Sequence, residues 1–168
     1  QDGGDAMRKL VVAPTSLIHS SDPDGLREQA AYAREFKLGM HSHLLEVDFD
    51  EVASLQKYGK RAVDYAGDCG WLGDDVWFAH LVECDRDEVR MLAETGTGMA
   101  HCPQANARLG SGIAPADTLH DLGGRVSLAV DGAGANEAAD MGAALYSAFA
   151  LHRATKGVQA LQAESLLN

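Results

Sequence analysis

The feature that most constrains this chain is an alternation. Short, almost wholly apolar runs are separated by longer stretches of helical spacing, and most runs end in a polar residue. Arg8–Ala13, Leu38–His43, Val76–His80, Gly98–Cys102 and Val126–Val130 read as strands, the first stopped by Pro14 and the fourth by Pro103. Strands that are apolar along their length, not at every second position, are buried on both faces and indicate a parallel sheet covered by helices. Ser21-Asp22-Pro23 is a helix start, and Leu26, Ala30, Ala33 and Phe36 keep a helical spacing after it. Further helices are predicted over Asp50–Lys57, Ala62–Asp68, Asp85–Thr95, Pro115–Leu122 and Asp140–Ala154. A glycine-bearing loop is expected after Pro103 and a loop of small residues after Asp131, while Leu161–Asn168 begins another helical pattern.

Five strand–helix units fit either an open doubly wound sheet or about five-eighths of an eight-stranded barrel. Periodicity does not separate the two; the placement of polar residues does. His43, His80, His101-Cys102 and Asp131 each stand at a strand end and lead into a turn. In a barrel, residues from several strand ends converge on one face and build the active site. The expected fold class is therefore α/β, part of a TIM-type barrel.

The chemistry-bearing residues follow from this placement. In His41-Ser42-His43 the two imidazoles point to the same face of a strand. They read either as a divalent-metal chelate or as a hydrogen-bonded pair at a sheet rim. Glu46 lies just past the strand end, near enough to act as acid or base. His80 closes an apolar strand, where a lone histidine is first read as a satisfied core residue. Asp131 opens the loop of small residues, either as a helix cap or as a functional group at the barrel mouth. Asp131-Gly132-Ala133-Gly134 has the look of a dinucleotide fingerprint, but Glu137 at the third glycine position would set a like charge against a pyrophosphate.

Composition narrows the partners. The 25 acidic against 14 basic residues give a net charge of −11, which repels phosphate backbones and anionic headgroups. Nucleic acid and membrane surfaces are thereby excluded as expected partners, and no apolar run approaches a bilayer span. Three cysteines without close spacing suit a reducing cytoplasm and form no zinc knuckle. Cys102, beside Pro103, reads as strand-end packing, and His19, His120 and His152 as surface or cap residues. No HExxH, P-loop or GxSxG occurs, nor the HxE with PCxxC of the other zinc deaminase class.

Together these segments resemble the amidohydrolase superfamily, within it the cytosine deaminase, chlorohydrolase and 8-oxoguanine deaminase group. The likeness is carried by Leu38–Glu46, Val76–His80, Ala100–Gly112 and Val130–Met141, in order and with about the right gaps. Val11–Thr15 and Arg108–Pro115 look most like the 8-oxoguanine deaminase branch. The resemblance implies the C-terminal part, about five β/α units, of a (β/α)8 barrel running from strand four to the helix region after strand eight. Residues 1–168 would then be a partial metal-dependent hydrolase barrel, with the first three strands and a small β-domain absent.

The resemblance also implies roles. His43 would be the strand-five metal ligand and Asp131 the strand-eight ligand, for zinc or alternatively iron. Glu46 would shuttle protons between water and a ring nitrogen, with His80 hydrogen-bonded to the attacking water. His101 to Asn106 would shape the pocket mouth. The expected activity is hydrolytic deamination of a purine- or pyrimidine-like ring, releasing ammonia. The rival readings are an s-triazine chlorohydrolase or aminohydrolase and a catalytically incomplete barrel fragment. A small heterocyclic substrate is the expected partner, and the two open sheet edges predict a homo-oligomer.

Overall fold

The structure, a computed structural model, describes residues 9–161. Its five strands are β1 (Val11–Val12), β2 (Gly39–Leu44), β3 (Val76–His80), β4 (Gly98–His101) and β5 (Val126–Leu128). Its helices are α1 (Pro23–Glu35), α2 (Asp48–Tyr58), α3 (Ala62–Asp68), α4 (Arg86–Thr95), α5 (Pro103–Leu109), α6 (Ala116–Asp121), α7 (Ala133–Asn136) and α8 (Met141–Lys156). All neighbouring strands pair in parallel, in the order β1-β2-β3-β4-β5. A doubly wound sheet reverses its order at a switch point, whereas consecutive order is what a barrel wall requires. The barrel reading therefore holds over the doubly wound one.

Several expectations need correction. Pro103 does not open a loop but occupies the first turn of α5, a position proline favours because its missing N–H has no partner there anyway. The small residues after Asp131 form the one-turn helix α7. β5 stops at Leu128, not Val130, although Ala129 N still donates to His101 O at 2.8 Å. β1 is shorter than Arg8–Ala13, and residue 8 lies outside the described residues, as do 162–168 of the last helical pattern.

Helix ends are set locally. Asp22 caps α1 by accepting from Gly25 N at 2.7 Å. α4 begins with a capping box, Asp85 accepting from Glu88 N while the Glu88 carboxylate accepts from Asp85 N. The Arg61 guanidinium then bridges Glu51 of α2 and Asp85 and Glu88 at α4, at 2.9, 3.2 and 2.7 Å, and so joins the helices that follow β2 and β3.

Along β2, β3 and β4 alternate residues face two environments. Met40, Leu44, Val76, Phe78 and Met99 pack outward against Leu26, Val63, Val89, Leu92 and Leu119 of the helices. His41, His43 and Trp77 are half-buried on the inner face. Trp77 lies across the sheet because Gly39 leaves the space: a Cβ there would sit 2.8 Å from the indole.

α8 packs through Ala144, Ala148 and His152, spaced by four residues and all buried. His152 is thus not the surface or cap residue expected; it shares the helix's inward stripe. Its Nε2 meets His101 Nε2 at 3.4 Å, and its other side faces Asp117, itself paired with Lys156 at 2.7 Å. Burial, reinforced by His152, pushes His101 from 6.5 down to about 3, and burial also lowers His152.

Two outcomes are expected. Phe78→Ala removes a fully buried ring between sheet and helices and should cost about 3–5 kcal/mol in urea unfolding. Between pH 6.5 and about 3 the unfolded chain binds a proton at position 101 that the folded chain refuses, so stability rises with pH through that window. Lowering pH from 7 to 5.5 should therefore cost His101→Phe about 1 kcal/mol less than the wild type, read from unfolding midpoints at the two pH values.

Candidate functional site

His43, Glu46, His80 and Asp131 all lie at the C-terminal end of the sheet, placed there by register. Leu44 of β2 is level with His80 of β3, and Ala79 with Ala100 of β4, so the chain leaves three strands at one height. Past those ends the backbone enters the left-handed region at Leu45 (φ 54°), His80 (φ 74°), Leu81 (φ 54°) and Asp131 (φ 63°). Non-glycine residues adopt it only where surroundings over-determine them. Here two cross-loop bonds, Leu81 N to Leu44 O at 3.0 Å and Glu83 N to Leu45 O at 3.1 Å, and one local bond, Glu46 N to Asp50 Oδ2 at 3.2 Å, do so.

The result is convergence. One ligand atom each from Glu46, His80 and Asp131 lies within 4.8 Å of the others. His80 is fully buried, the two carboxylates half-buried. His80 Nε2 stands 3.6 Å from Glu46 Oε2, and its Nδ1 meets Asn106 Oδ1 at 2.9 Å. Asp131 does not cap a helix: α7 has no side-chain cap, and among the described residues Asp131 Oδ1 accepts only from the adjoining Gly132 N, at 2.6 Å.

His43 adjoins the group through His80, the two rings stacked with centroids 5.3 Å apart. Its Nδ1 donates to Thr15 O at 2.6 Å, from the loop after β1, which leaves Nε2 as the free ring nitrogen. His41 does share a face with His43, at 6.0 Å between centroids. Its closer partner is Trp77, on which it stacks at 5.3 Å while its Nδ1 donates to Trp77 O at 3.1 Å. His41 is thus turned to the barrel interior and is not in the Glu46–His80–Asp131 group.

The segment His101–Asn106 divides. His101 turns away toward α8, so it does not line the mouth as expected. Cys102 faces the site and packs with Ala79 and Ala105 against Ala129 and Ala135. Burial, reinforced by the negative charge of Asp131, pushes its thiol up to about 12, which makes it packing and not a nucleophile. Asn106 and the Thr15 carbonyl are the partners that sequence reading missed. Asn106 was hidden by taking its segment for a loop, although Pro103, six helix-compatible residues and Gly110 spell a short helix.

Two carboxylates and an imidazole at this spacing suit the surroundings of a divalent cation: one ion offsets the repulsion of the like charges, and Asp131 with the free Nε2 of His43 offers the O and N donors that zinc or iron takes, leaving Glu46 and His80 beside it. A cleft of about 580 Å³ lined by Leu10, Arg34, Gly39, Trp77 and Arg125 opens at the other end of the strands and includes none of these residues. In barrels that end serves stability.

Comparison with known proteins agrees with this geometry. The sequence matches the amidohydrolase family over residues 9–167. It is 50% identical over 92% of its length to an isoxanthopterin deaminase from an unknown prokaryotic organism, of which it covers 32%. To an 8-oxoguanine deaminase of Pseudomonas aeruginosa it is 37% identical over 99% of its length, covering 37% of that protein. The fold superposes with a TM-score of 0.82 on the crystal structure of an atrazine chlorohydrolase from Arthrobacter aurescens complexed with zinc, at 26% identity, covering 93% of this chain and 33% of that one. The chain thus spans about a third of the length of the curated relatives it matches, and its five parallel strands are a C-terminal segment of their barrel. It belongs to the amidohydrolase family.

Proposed function

We propose that this chain carries the later-strand share of a metal-dependent hydrolytic deaminase acting on a purine- or pterin-like ring. The observation that carries the reading is the convergence of Glu46, His80 and Asp131 within 4.8 Å from the ends of β2, β3 and β5. His43 and Asp131 are the residues that would hold the metal, with the rest of its donors outside this group. Bound there, a divalent ion such as zinc supplies Lewis-acid activation, lowering the pKa of water from 15.7 toward about 7.

The chain's own groups then divide the work. Asp131 accepts the proton of the attacking water, and Glu46, near His80 Nε2, delivers a proton to the ring nitrogen beside the amino-bearing carbon. His80 holds the water by hydrogen bonding. Asp131 then passes the proton it took to the amino nitrogen, the hydroxyl on the tetrahedral carbon returns a proton to Glu46 as it becomes a carbonyl, and the C–N bond breaks to release ammonia. Beside the group the buried cluster of Ala79, Cys102 and Ala105 is apolar, a surrounding that suits the binding of a flat heterocycle.

The substrate class is supported by the names of the two deaminases above, and the zinc-bound chlorohydrolase supports an s-triazine as the rival. The three free cysteines, two of them buried, support a cytoplasmic setting. Among the described residues no helix is long and apolar enough to cross a membrane. The outer strands β1 and β5 leave edges that support association with further chain or a second copy.

In the full-length product of the gene encoding this chain, Glu46→Gln should lower ammonia release from isoxanthopterin and 8-oxoguanine by roughly 10²–10⁴-fold. Metal content by elemental analysis should stay unchanged. A fully active variant excludes the assignment, and chloride release from a chloro-s-triazine in place of ammonia release moves the reading to the rival.

A further inference from the structure

We infer that Asn106 is a positioning residue that sets the tautomer of His80 and so determines which nitrogen faces Glu46. The inference rests on the reading of His80 as part of the hydrolytic centre, and deepens it. Asn106 is fully buried in the middle of α5. Burying an amide is costly unless each polar atom is bonded, and among the described residues Asn106 Nδ2 has no hydrogen-bond partner. An apolar side chain of similar volume would fill the space without that cost, so packing does not explain the residue.

What the amide does make is the 2.9 Å contact from Oδ1 to His80 Nδ1. An oxygen on Nδ1 requires the hydrogen there, which leaves Nε2, 3.6 Å from Glu46 Oε2, with its lone pair. Two acceptors face each other in this way only around a shared proton or cation. The same pattern recurs across the inner face, where Thr15 O takes the Nδ1 proton of His43 and Trp77 O that of His41. Three imidazoles therefore present Nε2 as the free nitrogen. At two of them the acceptor is backbone.

His80 is the exception because the chain turns left-handed there (φ 74°) and the neighbouring Leu44 carbonyl is already used by Leu81 N. A side chain must supply the oxygen. α5 is suited to the task, since it also grips the loop carrying Asp131: Gln104 donates to Asn136 O at 3.2 Å and Arg108 to Glu137 at 2.8 Å. One short helix thus orients His80 on one side and the Asp131 loop on the other.

Long-range ¹H–¹⁵N correlation spectra of the metal-free full-length product test this directly. His80 should show the Nδ1–H tautomer in the wild type and in Asn106→Asp, which keeps an oxygen in place. In Asn106→Leu it should move to Nε2–H while His41 and His43 stay as they were. Nε2–H at His80 in the wild type or in Asn106→Asp overturns the inference, whether or not the leucine variant folds. In the full-length metal-loaded protein, Asn106→Leu should lower kcat by about 10–100-fold with KM little changed, and Asn106→Asp should restore most of it. If the spectra behave as stated but kcat does not move, the assignment of His80 to the hydrolytic centre is what fails.

Discussion

The parallel register of β2, β3 and β4 is the constraint on which everything else in this molecule rests. Parallel pairing brings every strand out at the same end of the sheet, and the observed register brings three of them out at the same height. Loops that leave from one level reach the same point in space. Glu46, His80 and Asp131 come from segments far apart in sequence, yet no long side chain or domain motion is needed to unite them. A slip of one residue in β3 would turn His80 to the opposite face and exchange it for an apolar neighbour. The outward-facing row of Val76 and Phe78 forbids that slip, because it would expose both. Core packing thus enforces the geometry of the site without touching it.

The loops then convert level strand ends into a convergent group. Left-handed backbone at Leu45, His80, Leu81 and Asp131 bends the chain sharply just where each strand finishes. The first bends are held by bonds between successive loops, Leu81 N to Leu44 O and Glu83 N to Leu45 O, and by bonds within a loop, such as Glu46 N to Asp50. α5 belongs to the same scheme. It follows β4 without a spacer, and its polar residues reach both ways along the rim.

Much of this was legible in the amino-acid sequence, for identifiable reasons. Val76–His80 and Ala62–Asp68 have the predicted bounds, one a continuous apolar run and the other a helical stretch set between turns. His43, Glu46 and Asp131 could be picked out because polar groups at the ends of apolar strands invite a functional reading, whereas His80, first read as a satisfied core residue, drew its expected role from the family resemblance. The consecutive strand order was not legible in periodicity, which is the same in either topology; polar strand ends pointed to a barrel, and the pairing bears that out. α5 and α7 were missed because proline, glycine and alanine are shared between loops and short helices, and one turn leaves no period to read. His152 was misplaced because a histidine invites a surface reading, although its spacing of four from Ala148 and Ala144 sets it on the buried stripe. Asn106 shows a deeper limit: which nitrogen of an imidazole carries a proton depends on an oxygen from a different strand–helix unit.

That histidine pair behind β4 has a consequence for how α8 is seated. An alanine face lets a helix lie close to a sheet, but alanines are interchangeable, and such a surface fits nearly as well one turn along. The contact between His152 and His101 is not interchangeable. Sliding the helix by a turn would part the imidazoles and strand two ring systems in an apolar layer. The pair therefore acts as a key in an otherwise smooth lock, giving up some stability, as buried polar groups do, in exchange for one permitted seating.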